Sequence, residues 1–270
     1  MGAADSKPVQ QEAHQPKTNS ELDKPWRKFY WGQKEALKQK LQNFSPSDPN
    51  VKDIKILVAG QVGAGKSSFI NSIDSAFQGR ISARALVSSS AGGFTRELKE
   101  FTIRSGRKSL PLIFMDTMGL QPPVLHGPQI DDIINAVFGH VKDGYKAFCL
   151  VYVIDGNTVQ FTDDKLVDKL KIIRLRIRDM GIPQVVVMTK VDEACPLVKN
   201  DLRKIYTSKK IKEKVDLCSA KTGVPLPNIF PVKNYHDETD TKDDIDVLIL
   251  KALEQIVQIA DDRLLDCESY

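Results

Sequence analysis

Gly60-Gln61-Val62-Gly63-Ala64-Gly65-Lys66-Ser67 spells G-x-x-x-x-G-K-[ST] without a gap, between an apolar run, Ile54 to Ala59, and a stretch with helical spacing, Lys66 to Phe77. The chemistry of a polyphosphate site requires that order. Glycines let the backbone curl until successive N–H groups face one anion, and the helix N-terminus adds its positive end. A lysine at position 66 reaches the terminal oxygens, and the Ser67 hydroxyl is placed to ligate Mg²⁺. With Ser68 on the first helical turn, residues 60–68 form the candidate phosphate cradle.

Outward from this stretch, strand-like and helix-like segments alternate. Strands are expected at Ile54 to Ala59, Leu98 to Ile103, Leu112 to Met115, Phe148 to Ile154, Val185 to Met188 and Ile229 to Val232. Helices are expected at Lys66 to Phe77, Ile130 to Val141, Asp164 to Met180, Leu197 to Cys218 and Asp243 to Asp266. The strand runs are apolar and β-branched without clean alternation, which suits burial on both faces. The expected fold is therefore α/β, a Ras-like P-loop NTPase with a doubly wound, mostly parallel sheet of about six strands and helices on both faces.

Leu112-Ile113-Phe114-Met115-Asp116-Thr117-Met118-Gly119 is an apolar strand that ends on an Asp, with a Gly three residues later. Ligands of open α/β sheets sit at such strand ends. Asp116 is thus expected beside Ser67 in the Mg²⁺ shell, with the Gly119 N–H offered to a γ-phosphate. The base is chosen farther on, where Val185 to Met188 leads into Thr189-Lys190-Val191-Asp192, a [NT]-K-x-D element. An Asp192 carboxylate accepts both N1–H and the N2 amino group of guanine, whereas adenine offers no donor at either place. The Lys190 stem would lie along the purine. Ser219-Ala220-Lys221 looks like a further guanine loop, but Ile211, Val215 and Cys218 before it keep helical spacing and Gly223 reads as the helix stop. The base-contacting backbone is expected instead at the exit of the last strand, Lys233-Asn234-Tyr235-His236, with Lys233 and Asn234 as the candidate residues. GTP or GDP with Mg²⁺ is the expected ligand set.

Ala85 to Thr95 is small, polar and glycine-rich, the kind of segment that a γ-phosphate orders and hydrolysis releases. Thr95 is the candidate switch ligand of Mg²⁺, with Ser88, Ser89 and Ser90 as alternatives. Hydrolysis is expected to be slow. After D-x-x-G, where a glutamine would orient water, stands Leu120, and the nearest amide is Gln121. The missing group would come from Gln121, from His126 or from a second protomer meeting the first through the nucleotide face. Lys66, Thr95, Gly119 and Gln121 make up the candidate catalytic set. Two other readings stay open: a GTP-loaded interaction protein with negligible turnover, and a P-loop ATPase or kinase.

The 270 residues allow one large domain or a domain with an extension, and 41% hydrophobic with 27% charged residues suits a folded chain. A net charge of +4 is too small to argue for nucleic acid. The row Lys165, Lys169, Lys171, Arg174, Arg176 and Arg178 has Leu166, Leu170, Ile173 and Ile177 behind it, as a solvated amphipathic helix does. Cys149, Cys195, Cys218 and Cys267 show no metal spacing, no apolar run is bilayer-long and the first residues lack a signal-peptide core. A reducing, cytoplasmic setting is expected.

Residues 1–22, poor in large apolar side chains, are expected to be a disordered tail. Residues 23–50, with Trp26, Phe29, Tyr30 and Trp31 and then Leu37, Leu41 and Phe44 at helical spacing, read as a helical extension, and residues 51–270 as the nucleotide domain. Met1-Gly2-Ala3-Ala4-Asp5-Ser6 fits M-G-x-x-x-[ST], and a myristoyl chain on Gly2 would give only weak, reversible membrane contact.

Three stretches resemble the interferon-induced protein 44 and 44-like family: Lys55 to Phe69 around the phosphate loop, the lead-in Asp23-Lys24-Pro25-Trp26-Arg27, and Asn228-Ile229-Phe230-Pro231-Val232-Lys233-Asn234-Tyr235. The likeness runs from about Leu22 to Asp266. It implies a cytoplasmic guanine-nucleotide-binding protein of the innate, antiviral response. Neither the residues nor the resemblance names a protein partner.

Overall fold

The computed structural model describes residues 20–85, 99–117, 119–120, 128–138, 147–161 and 164–267. In chain order its elements are α1 (Lys34–Gln42), β1 (Ile54–Gly60), α2 (Lys66–Gln78), β2 (Lys99–Ser105), β3 (Lys108–Asp116), α3 (Pro128–Phe138) and β4 (Cys149–Asp155). Then come α4 (Asp164–Arg178), β5 (Gln184–Thr189), α5 (Val191–Ala194), α6 (Pro196–Asn200), α7 (Lys209–Thr222), β6 (Ile229–Pro231) and α8 (Asp243–Cys267).

Alternate residues of one strand feed two apolar layers. In β1, Ile56 and Val58 join the cluster that holds Leu37 and Leu41 of α1, Phe69 and Ile73 of α2, and Leu253 and Ile256 of α8. Leu57 and Ala59 join the other, with Ile133 and Val137 of α3, Ile173 and Ile177 of α4, and Ile211 and Val215 of α7. That is why the strand reads as a continuous apolar run. The sheet order is β2-β3-β1-β4-β5-β6, parallel throughout except for β2, which runs antiparallel to β3. This is the doubly wound fold expected from the sequence. The order reverses at β1, leaving a cleft at the C-terminal ends of β1, β3 and β4 where open α/β sheets bind ligands.

One expected helix is corrected. Leu197 to Cys218 is not continuous but divides into α6, a 3₁₀ turn at Leu202–Tyr206 and α7. Two side-chain caps force the division. Asp201 takes extended backbone and accepts from Arg203 N, and Ser208 accepts from Ile211 N at the start of α7. Gly223 ends α7 in the left-handed region at φ 71°, and Ser219, Ala220 and Lys221 lie inside that helix.

The lead-in straps the outer end of the sheet. Leu22 N and Trp26 N donate to the carbonyls of Thr207 and Tyr206 at 2.7 and 2.9 Å, and the Phe29 ring stacks on Tyr206 with centroids 4.9 Å apart. Arg27 donates to Ile229 O at 2.8 Å on the side of β6 away from β5, while Val232 N turns inward to Met188 O. With Pro231 lacking an N–H, this edge is blunted against further strand pairing. Among the described residues, Cys149, Cys195 and Cys218 are free and buried, and no helix is long and apolar enough to cross a membrane.

Candidate functional site

The phosphate loop leaves β1 and enters α2 at Gly65, whose φ of 89° only glycine adopts cheaply. A Cβ there would come within 2.9 Å of the Asn234 amide nitrogen. Lys66 is 8% exposed, and its Nζ donates to Gly60 O and Gln61 O at 3.3 and 3.1 Å. Burial holds its ammonium below the ordinary lysine range, partly offset by the Asp116 carboxylate. The Ser67 hydroxyl donates to Asp116 Oδ2 at 2.7 Å, and Asp116 Oδ1 is buried without a hydrogen-bond partner among the described residues. Burial pushes the Asp116 carboxyl up, opposed by the Ser67 hydrogen bond and by Lys66. A buried ammonium facing carbonyls and a buried carboxylate oxygen lacking a donor fit a polyphosphate and a hydrated divalent cation: each ligand supplies the charge its neighbour lacks.

The chain after β3 folds onto this loop. Thr117 donates through its N–H and its hydroxyl to Val58 O, and Leu120 N donates to Gly60 O at 2.8 Å. Gly119 lies so close that a Cβ would stand 2.6 Å from Val62 N. The Leu120 side chain, 2% exposed, packs into the core layer with Ile130 and Ile133.

Thr189, at the end of β5, is fully buried, and its hydroxyl donates to Ala64 O at 2.7 Å. Asn234 Nδ2 donates to the next carbonyl, Gly65 O, at 3.0 Å. Two successive carbonyls of the phosphate loop are therefore tied to the base-side elements. Lys190 holds a left-handed φ of 55° and places its Nζ 2.8 Å from Asp155 Oδ2, while Asp192 lies in the first turn of α5. Lys233 Nζ lies 3.3 Å from Asp192 Oδ2 and 2.9 Å from Glu238 Oε1.

Residues 60–68, Asp116, Gly119, Thr189, Lys190, Asp192, Lys233 and Asn234 thus line one end of the sheet. Lys233 and Asn234, whose backbone was expected to meet the base, engage Asp192 and the phosphate loop through their side chains. Thr95, Ser88, Ser89, Ser90, Gln121 and His126 lie outside the described residues. Sequence reasoning missed Asp155, whose only signal was its place at the C-terminal end of a strand; Tyr235, in the exit from the last strand, donates its N–H to Ser72 Oγ of α2 at 3.0 Å.

A family model described as 50S ribosome-binding GTPase matches residues 55–190. The chain belongs to this GTPase family. Interferon-induced protein 44 of Homo sapiens is 31% identical over 258 residues, covering 86% of this chain and 58% of its own length. Interferon-induced protein 44-like of Homo sapiens is 30% identical over 251 residues, covering 84% of this chain and 56% of its own. The family resemblance drawn from the sequence is borne out, and the chain spans a little over half the length of these curated relatives. Among solved structures, a probable GTP-binding protein engB aligns over 77% of this chain and 99% of its own, with 17% identity and a TM-score of 0.44. Residues 60–68, Asp116, Gly119, Thr189 and Lys190 of the site fall within the span that this family model matches.

Proposed function

We propose that this GTPase-family protein is a Mg²⁺-dependent guanine-nucleotide switch with slow hydrolysis, acting in the cytoplasmic innate, antiviral response. The observation that carries the reading is the tether between the phosphate loop and the Thr189–Asp192 element, which sets phosphate and base chemistry in one frame. Lys66 would meet the β/γ oxygens, with Ser67 and Asp116 holding the metal and Thr95 joining them from the switch segment. When bound, Mg²⁺ withdraws charge from the terminal phosphates. Asp192 would accept from both donors of the guanine edge while Lys233 keeps a positive charge beside it.

Slow turnover is supported by Leu120, whose side chain is committed to the core, and by Val62, packed against Gly119 where attacking water would have to be ordered. The same two residues favour the second reading, a GTP-loaded interaction protein with negligible turnover. The interferon-induced names of the relatives support the antiviral setting. Contact between two copies through the nucleotide face, and weak membrane contact through a myristoylated Gly2, belong to the same proposal.

Calorimetry with GTP, GDP and ATP, in Mg²⁺ and in EDTA, tests the core of it. Guanine nucleotides should bind with a clear loss in EDTA, ATP should not compete, and Asp192→Asn should shift preference to xanthosine triphosphate. GTP binding untouched by Asp192→Asn would refute the base-site assignment. Single-turnover hydrolysis at rising protein concentration separates the two readings: a rate that climbs supports catalysis in trans, and none at any concentration leaves the interaction protein.

A further inference from the structure

Between the lead-in, β6 and α8, away from the phosphate loop, lies an open cavity of about 250 Å³. Phe29, Tyr206, Phe230 and Leu248 form its apolar walls. Its charged lining is Arg27, Lys28 and Lys251, with no carboxylate. Lys251 is answered by Glu254 at 2.6 Å, but neither Arg27 nor Lys28 has a carboxylate partner among the described residues. Arg27 is fixed in place: it donates to Ile229 O and Leu226 O at 2.8 and 2.7 Å and lies 5.1 Å from the Trp26 ring centre. Tyr30, 71% exposed, and Leu226, 42% exposed, adjoin the lining residues Phe29 and Pro227 in the chain and are two of the six exposed large apolar side chains among the described residues.

We propose that this groove binds a segment of a partner protein that carries a large apolar side chain next to an Asp or Glu. The apolar side chain enters the cavity and packs on the rim formed by the stacked Phe29 and Tyr206 pair and by Phe230, and the carboxylate meets Arg27 and Lys28. Aromatic walls beside an arginine held by carbonyls and lacking a carboxylate are the composition that anchors such segments. The partner cannot add a strand, because Arg27 and Pro231 blunt the β6 edge, so recognition must run through side chains. A concave site suits an inserted side chain better than a bilayer surface, which is met by protruding apolar faces.

Both tryptophans of the chain report on the site: Trp26 lies 5.1 Å from Tyr206 and Trp31 lies 4.7 Å from Phe29, centre to centre. The test titrates the full chain with acetyl-Ser-Leu-Asp-Phe-Glu-Ser-amide and with the same peptide carrying Asn and Gln for the two acids, following tryptophan emission. The acidic peptide should saturate below about 1 mM and bind about tenfold tighter than the neutral one. Lys28→Glu and Leu226→Ser should each weaken it several-fold while GTP affinity is unchanged, which shows the variants folded. Equal binding of the two peptides, or no saturation of the acidic one, would overturn the proposal. So would binding to phosphatidylcholine vesicles containing phosphatidylserine that Lys28→Glu abolishes, in the absence of peptide binding. A dimer in sedimentation that Leu226→Ser dissolves and the peptide fails to displace would assign the face to a second copy and likewise overturn it.

Discussion

Thr189 shows how one hydroxyl can take over a structural duty. It is fully buried at the end of β5, 2.7 Å from Ala64 O, so the base-side strand holds the phosphate loop through a single side chain. Thr189→Val keeps the shape and removes the donor, leaving a buried carbonyl unanswered. The cost should be about 1–3 kcal/mol in urea unfolding, with weaker GTP binding by calorimetry, and an unchanged midpoint would disprove the tether. Lys66 should behave in the opposite way. Among the described residues its buried ammonium hydrogen-bonds to carbonyls, with the Asp116 carboxylate only partly offsetting the burial, so Lys66→Met should leave Tm unchanged or raised while triphosphate affinity falls about 10–100-fold. Residues like these were legible in the sequence because phosphate and guanine chemistry dictate residue type and spacing directly. Asp155 was not legible, because its contact with Lys190 depends on a left-handed backbone at a lysine, which no propensity announces.

Among the elements, the loop between β6 and α8 couples the base side to the outer helices. Lys233 bridges Asp192 and Glu238, and Tyr235 donates its hydroxyl proton to Asp246 Oδ1 at 2.7 Å. Burial alone would raise the Glu238 carboxyl, but the Lys233 hydrogen bond and the His236 N–H outweigh it and bring the group down to about 2. A carboxyl lowered on folding adds stability above its unfolded value of about 4.5 and loses it as the pH falls toward 2. Glu238→Gln should therefore be less stable than the parent at pH 7, and the gap should narrow between pH 4.5 and pH 3 in urea midpoints; a gap independent of pH would exclude the pairing as its source. Lys34 on α1 offers a contrast within one side chain. Its Nζ lies 2.8 Å from both Asp243, which is exposed, and Asp246, which is fully buried. Lys34→Ala strips the buried carboxylate of its cation and should cost about 1–3 kcal/mol, whereas Asp243→Ala should cost under about 1 kcal/mol in the same denaturation assay. The strands were readable because each is a plain apolar run. The break between α6 and α7 was not, since Leu197, Val198, Ile205, Ile211 and Val215 keep an apolar rhythm across it while Asp201 and Ser208 cap the pieces.

At the scale of the molecule, the question is whether residues 20–50 are an appendage or part of the cooperative unit. Composition separates them from residues 51–270, with aromatics bunched at 26–31 and prolines at 46 and 49, and so invites a boundary near residue 50. Packing argues the reverse. Leu37 and Leu41 are 4% and 2% exposed and belong to the same cluster as Ile56 and Val58 of β1 and Leu253 of α8. Trp26 Nε1 donates to Ile205 O at 3.3 Å, and Arg27 closes the β6 edge. Losing two buried leucines costs about 2–5 kcal/mol each, a large share of the 5–15 kcal/mol that holds a typical domain together. A chain starting at residue 51 should therefore fail to fold stably, its α8 face laid open. The full chain gives a sharper measurement, because both tryptophans lie in the lead-in while most of the helix and sheet signal comes from elsewhere. If the lead-in and α1 belong to the core, tryptophan emission and far-ultraviolet circular dichroism should follow a single urea transition with one midpoint. An emission change that precedes the loss of helix signal by more than the width of the transition would mean that the strap releases first and that the sheet and its nucleotide site stand without it.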